Sequence, residues 1–120
     1  VTIVATGHLV WESLLAADEL EKQGISCEII NIHTIKPLDE EIILKSVEKT
    51  GKIVTAEEHN YLGGLGESVA GMLARKRPTP QEFVAVQDTF GESGTPAELM
   101  HKYKIDSFAV IEAVKRILER

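Results

Sequence analysis

The sequence predicts an α/β fold, a three-layer α/β/α sandwich around a mainly parallel sheet in the order 2-1-3-4. Short runs rich in β-branched residues recur at 1–6, 27–32, 52–57 and 83–87. They lack the strict alternation of a half-exposed strand, as strands covered on both faces do. Segments with helical spacing lie between these runs and after the last one. Strand and helix alternate four times along the chain, the order that folds into a parallel sheet through right-handed crossovers.

Each element has a local reason. The opening run, VTIVATG, is apolar and has no lead-in. It reads as a buried strand in a piece cut from a longer polypeptide, with residues 1–120 forming a single domain. A helix over 9–23 places Val10, Leu14, Ala17 and Leu20 on one stripe and stops at Gly24, a residue suited to the position after a helix end. Asp39 is placed to cap a helix over 40–50, with Leu38 and Ile43 spaced as a hydrophobic staple and Gly51 at its end. A helix over 66–76 has Leu65, Val69, Met72 and Leu73 on one face. After the last strand, Thr95-Pro96-Ala97-Glu98 has capping-box spacing with proline at the first helical position, predicting a short helix that ends near Tyr103. Asp106 then caps a helix over 107–119, with Ile105 and Val110 as its staple and Ile111, Val114 and Leu118 facing inward.

Composition narrows the function classes. With 120 residues, 43% hydrophobic and 27% charged, the chain can build one core of its own. A net charge of −6 and a pI near 5.2 argue against a nucleic-acid or anionic-membrane binder. The one basic cluster, Arg75-Lys76-Arg77, falls at a predicted helix end, where cations complement the helix dipole. No apolar run approaches the length of a membrane span and no signal peptide is read. The single cysteine, Cys27, excludes an internal disulfide and fits a reducing, cytoplasmic compartment.

The expected order puts strands one and three side by side, with connections leaving in opposite directions. Ligands of such folds bind in the crevice at that switch point. Its candidate lining is Gly7 and His8 after the first strand, His33 after the second, and Glu58, His59, Asn60, Tyr61, Leu62, Gly63, Gly64 and Gly66 after the third. As a dinucleotide fingerprint the glycines miss, because the sixth position counted from Gly64 is Val69. Glu57, Glu58 and Glu67 flank the loop with charge that repels a phosphate. A helix N-terminus there, and Asp88 after the next strand, are the features that favour one.

Three histidines at the ends of neighbouring strands, His8, His33 and His59, could hold zinc, but independent polar roles are the favoured reading. Gly91-Glu92-Ser93-Gly94-Thr95 is not a nucleophile elbow, since Thr95 stands where glycine is needed. A triad of Ser93, His59 and an acid exists only on paper. Glu57 and Glu58 are consecutive at a strand end, so they point to opposite faces and cannot work as an acid/base pair. One of them could still be buried, bonded to His59, Asn60 or a neighbouring chain. Tyr61 and Leu62 are bulky residues beside glycines in a loop, which suggests a surface covered by another domain or chain.

Four stretches in order, VTIVATG (1–7), TIKPLD (34–39), EEHNYLGGLGE (57–67) and FGESGTPAEL (90–99), together resemble the C-terminal domain of transketolase over essentially the whole chain. Deoxyxylulose-phosphate synthase and the beta subunits of 2-oxoacid dehydrogenases carry related domains. The resemblance implies an enzyme that moves two-carbon ketol units between sugar phosphates, with thiamine diphosphate and Mg or Ca held between two other domains across a homodimer interface. It implies no catalytic, cofactor-binding or metal-binding residue in this domain, whose role is packing, dimer support or regulation. The expected partners are other domains or subunits of the same enzyme, with neither nucleic acid nor membrane. The family's domain also begins with an antiparallel edge strand that is missing here, which leaves one sheet edge open. Two alternatives stand beside this reading: a subunit-docking domain of a 2-oxoacid dehydrogenase or of deoxyxylulose-phosphate synthase, and a nucleotide-binding module.

Overall fold

The structure, a computed structural model, describes residues 1–33, 37–60, 64–86 and 106–120, with the side chains of residues 59, 60 and 86 outside the description. Its strands are β1 (Thr2–Ala5), β2 (Glu28–Asn31), β3 (Ile53–Asn60) and β4 (Gln81–Val86). Its helices are α1 (His8–Lys22), α2 (Glu40–Thr50), α3 (Leu65–Lys76) and α4 (Ser107–Leu118). The strands form one sheet in the order β2-β1-β3-β4, and every pair is parallel. The expected order therefore holds. The short helix expected near 95–103 lies outside the described residues.

Strand alternation sorts the core into two layers. Ile3, Ala5, Val54, Ala56 and Val84 pack with Leu9, Ala16 and Leu20 of α1 and with Val110, Ala113, Val114 and Ile117 of α4. Val4, Ile30 and Ile53 pack on the other face with Ile43 and Val47 of α2 and Leu65, Val69, Met72 and Leu73 of α3. The inward face read for α3 is thus the one observed. The start of β1 is fixed to α2 by a hydroxyl cluster, with Thr2 Oγ1 at 2.6 Å from Ser46 Oγ and 2.7 Å from Thr50 Oγ1.

Both aspartate caps are present. Asp39 accepts from the Ile42 amide at 3.5 Å, and Asp106 accepts from the Ala109 amide at 3.0 Å. α2 ends at Gly51 with φ 72.

Two expectations need correction. The stripe that α1 buries is Leu9, Ser13, Ala16 and Leu20, one residue away from the Val10-Leu14-Ala17 line, and Leu14 is 48% exposed. The cause is Ser13, which is fully buried although among the described residues its hydroxyl has no hydrogen-bond partner. A small side chain lets α1 lie close to its neighbours but reads as polar in the sequence. The outer face of α1 instead carries Trp11, 58% exposed. Leu118 likewise does not face inward; it is exposed on the last turn of α4, and Ile117 takes the buried place.

β3 also runs further than the apolar run that predicted it. Between β3 and β4 the pairing steps from Ala56↔Val84 to Asn60↔Val86, so β3 advances 60 − 56 = 4 residues while β4 advances 86 − 84 = 2. The irregularity falls on Glu57, Glu58 and His59, beside the switch point, where bulges re-aim side chains.

Candidate functional site

The C-terminal edge of the sheet is organised by an unmet need of two helices. The first turn of any helix leaves backbone N–H groups without intrahelical partners. α1 starts on Gly7 and α3 on Gly64, and neither has a capping side chain of its own. The foremost of these donors are met from the end of β3, while Leu9 N and Val10 N of α1 donate to the Thr6 and Gly7 carbonyls. Glu57 points to the α2/α3 face, where Oε1 accepts from the Leu65 amide at 2.9 Å and Oε2 from the Gly66 amide at 2.7 Å. Glu58 points to the opposite face and accepts from the His8 amide at 2.8 Å. The two acids do face apart, and each neutralises the positive end of a different helix.

Glu57 is only 2% exposed. A carboxylate at that depth is tolerable only when hydrogen-bonded, and the two amides supply short charge-assisted bonds. The start of α3 also sits unusually close to the sheet. A Cβ built on Gly66 would lie 2.4 Å from Phe83 Cδ2 and 3.1 Å from Thr55 Oγ1, so only glycine fits. Gln81 Nε2 completes the wall, donating to Thr55 Oγ1 at 3.1 Å and to the Gly66 carbonyl at 3.0 Å. On the other face, Gly7 has φ 56, a conformation that glycine adopts without penalty. A Cβ there would lie 3.5 Å from Glu58 Oε1.

A third carboxylate extends the pattern. Glu12, one turn into α1, accepts from the Ser107 amide at the start of α4 at 3.0 Å. Its other oxygen lies 3.9 Å from His8 Nε2.

Of the predicted crevice residues, the structure brings Gly7, His8 and Glu58 together, and Gly64 and Gly66 around Glu57. His33 lies exposed beyond β2. The side chains of His59 and Asn60, all of Tyr61, Leu62 and Gly63, and Asp88, Ser93 and Thr95 lie outside the described residues. Among the described residues no three His, Cys, Asp or Glu side chains gather as metal ligands; the three-histidine grouping itself turns on the side chain of His59. Burial pushes the Cys27 thiol up, which disfavours the thiolate a nucleophile needs.

The sequence leaves the partners of Glu57 and Glu58 open and does not single out Glu12. A helix that starts on glycine calls for a remote cap, but residue spacing does not name the side chain that supplies it.

Chemically, this edge holds resident anions. The amides that would cradle a phosphate at a helix start already serve Glu57 and Glu58, and a diphosphate would meet both negative charges. Among the described residues, grooves lie elsewhere. One of about 610 Å³ runs between Glu40, Leu44 and Glu48 on α2 and Lys76-Arg77, where Glu40 is ion-paired with Lys76 and Arg75. Another, of about 550 Å³, lies between Leu14 and Glu21 of α1 and Cys27 and Ile29. Among the described residues no helix is long and apolar enough to cross a membrane.

The geometry agrees with what comparison finds. The family profile "Transketolase, C-terminal domain" matches residues 1–110. The 6-deoxy-6-sulfo-D-fructose transketolase subunit of Clostridium sp. (strain MSTE9) is 46% identical over 100% of this chain and 37% of its own length. The transketolase of Mus musculus is 38% identical over 100% of this chain and 19% of its own. A solved split-gene transketolase, described as an inactive beta4 tetramer, superposes with a TM-score of 0.95 at 42% identity, over 98% of this chain and 39% of that one. The chain therefore spans between about a fifth and two fifths of these relatives, and with the family profile matched over residues 1–110 it belongs to the transketolase C-terminal domain family.

Proposed function

We propose that this chain is the C-terminal domain of a thiamine-diphosphate-dependent transketolase that transfers two-carbon ketol units between sugar phosphates, and that it serves assembly rather than the chemistry itself. The observation that carries this reading is the pair Glu57 and Glu58, whose carboxylates take the helix-start amides at the switch point. A domain that fills its own anion sites has little to offer a diphosphate, so cofactor and divalent metal belong to other domains, in a cytoplasmic, dimeric enzyme. Its partners are then the domains and subunits of that enzyme. A split arrangement, with the other half on a separate polypeptide, has the support of higher identity to the Clostridium subunit, 46%, and the split-gene protein, 42%, than to the Mus musculus enzyme, 38%.

Calorimetry tests the reading. Titrating thiamine diphosphate and Mg²⁺ into this chain alone should give no heat, while the enzyme carrying its other domains binds both. Micromolar binding by this chain alone would overturn the proposal. Tyr61 and Leu62 are the proposed contact with a neighbouring domain or chain, and replacing both with Ser should weaken assembly of the whole enzyme more than its turnover per assembled site. Unchanged assembly would remove them from the interface.

A further inference from the structure

We propose that the first turn of α1 is a bracket that ties the end of β3 to the start of α4, so that a displacement at either is felt at the other. The bracket has two carboxylate fastenings. Glu58 of β3 holds the first amide of α1, His8 N, at 2.8 Å. Glu12, four residues along the same helix face, holds the first amide of α4, Ser107 N, at 3.0 Å. Between the fastenings lies one hydrogen-bonded turn, a rigid unit, and the His8 imidazole stands 3.9 Å from Glu12. α4 has a second hold on its third amide through Asp106, whereas among the described residues His8 N is met by the β3 carboxylate alone, because Gly7 offers no side chain.

Three units far apart in the chain, β3, α1 and α4, are thus joined by bonds in which a side chain of one accepts from the backbone of the next. The bracket lies where β3 leaves the sheet, so a protein partner seated on that edge and pulling on Glu58 moves the first turn of α1 and, through Glu12, the start of α4. This inference goes beyond the assembly reading and does not depend on it, because the bracket is a property of the isolated chain. A mutant cycle measures the coupling.

The experiment is residue-resolved amide hydrogen exchange by NMR on the whole chain, in the parent, Glu58→Gln, Glu12→Gln and the double variant. Glu58→Gln should speed exchange at His8 and also at Ser107, each about fivefold or more, as expected when a local opening loses one fastening. Glu12→Gln should speed Ser107. Because the effect of Glu58 reaches Ser107 through Glu12, adding Glu58→Gln to Glu12→Gln should leave Ser107 where the single variant put it. Glu58→Ala, which removes the acceptor outright, should give the same pattern more strongly. An unchanged Ser107 in both Glu58 variants would overturn the bracket. So would multiplied effects in the double variant, or equal acceleration at core amides such as Val4 and Val54, which reports global loosening.

Discussion

Helices α2 and α4 begin on an aspartate of their own, whereas α1 and α3 begin on a glycine and take a carboxylate from the end of β3. The difference is one of range. Asp39 and Asp106 reach amides three residues along the same chain, so their bonds form as soon as the turn forms. Glu57 and Glu58 reach across 8 and 50 residues and exist only when strand and helix are already packed. Local caps stabilise an element; remote caps fix where elements sit relative to one another. The remote pair stands at the switch point between β1 and β3, where α1 and α3 leave for opposite faces of the sheet, and there relative position matters most.

The comparison can be broken most directly at Glu57. Glu57→Ala leaves two buried amides without an acceptor and should cost about 3–5 kcal/mol in urea unfolding. Excess acetate should restore part of that loss by taking the vacated carboxylate position, with Glu57→Gln as the milder variant if the alanine form does not fold. Should Asp106→Ala prove as costly as Glu57→Ala, the distinction between local and remote caps would collapse. Next is Gly66→Ala, whose methyl group collides with the Phe83 ring; an overpacked site of this kind should cost about 2 kcal/mol, and adding Phe83→Leu should recover much of it. A loss that Phe83→Leu leaves untouched would point to backbone strain rather than close approach.

Single caps come third. Glu58→Ala and Asp106→Ala should each cost about 1 kcal/mol, and Asp39→Ala, with its long 3.5 Å bond, about 0.5 kcal/mol, read as shifts of the urea midpoint.

The smallest effect is electrostatic. The Lys49 ammonium holds the Glu28 carboxyl below its usual range, and the Lys76 ammonium does the same for Glu40. A carboxyl whose folded pKa is depressed adds stability that is present above its unfolded pKa and lost as pH falls through the folded one. Both pairs sit at the surface, so a slight acid-side loss is expected, fading with added salt. Lys49→Met and Lys76→Met should flatten it; an undiminished acid dependence in both would assign it to other carboxylates.

Strand order and both aspartate caps were legible because they depend on neighbours in sequence: the alternation of runs for one, a three-residue spacing for the other. The α3 face was legible for the same reason, since Leu65, Val69, Met72 and Leu73 are all large and apolar. The α1 face was misread because Ser13, buried for its small size, interrupts the apolar stripe, while Leu14 supplies a false one on the outside. Glu57 and Glu58 were seen to face apart from strand geometry alone. Their partners were not foreseeable, because those partners are backbone amides whose position depends on the shift in β3 pairing and on how closely Gly66 lets α3 approach Phe83. Glu12 carried no signal at all, being one acid among several on a charged helix.

Trp11 is the sole tryptophan of the chain, lies one residue before Glu12, and is 58% exposed. Its fluorescence therefore reports on water at the outside of α1 rather than on the core. Emission should already be red-shifted in the folded protein and change little on unfolding, so a melting curve followed by tryptophan emission would understate the transition and circular dichroism is the better observable. The same position makes Trp11 a ready optical probe for anything that settles on that helix. A blue shift on mixing with a partner would mark contact there without any label being attached.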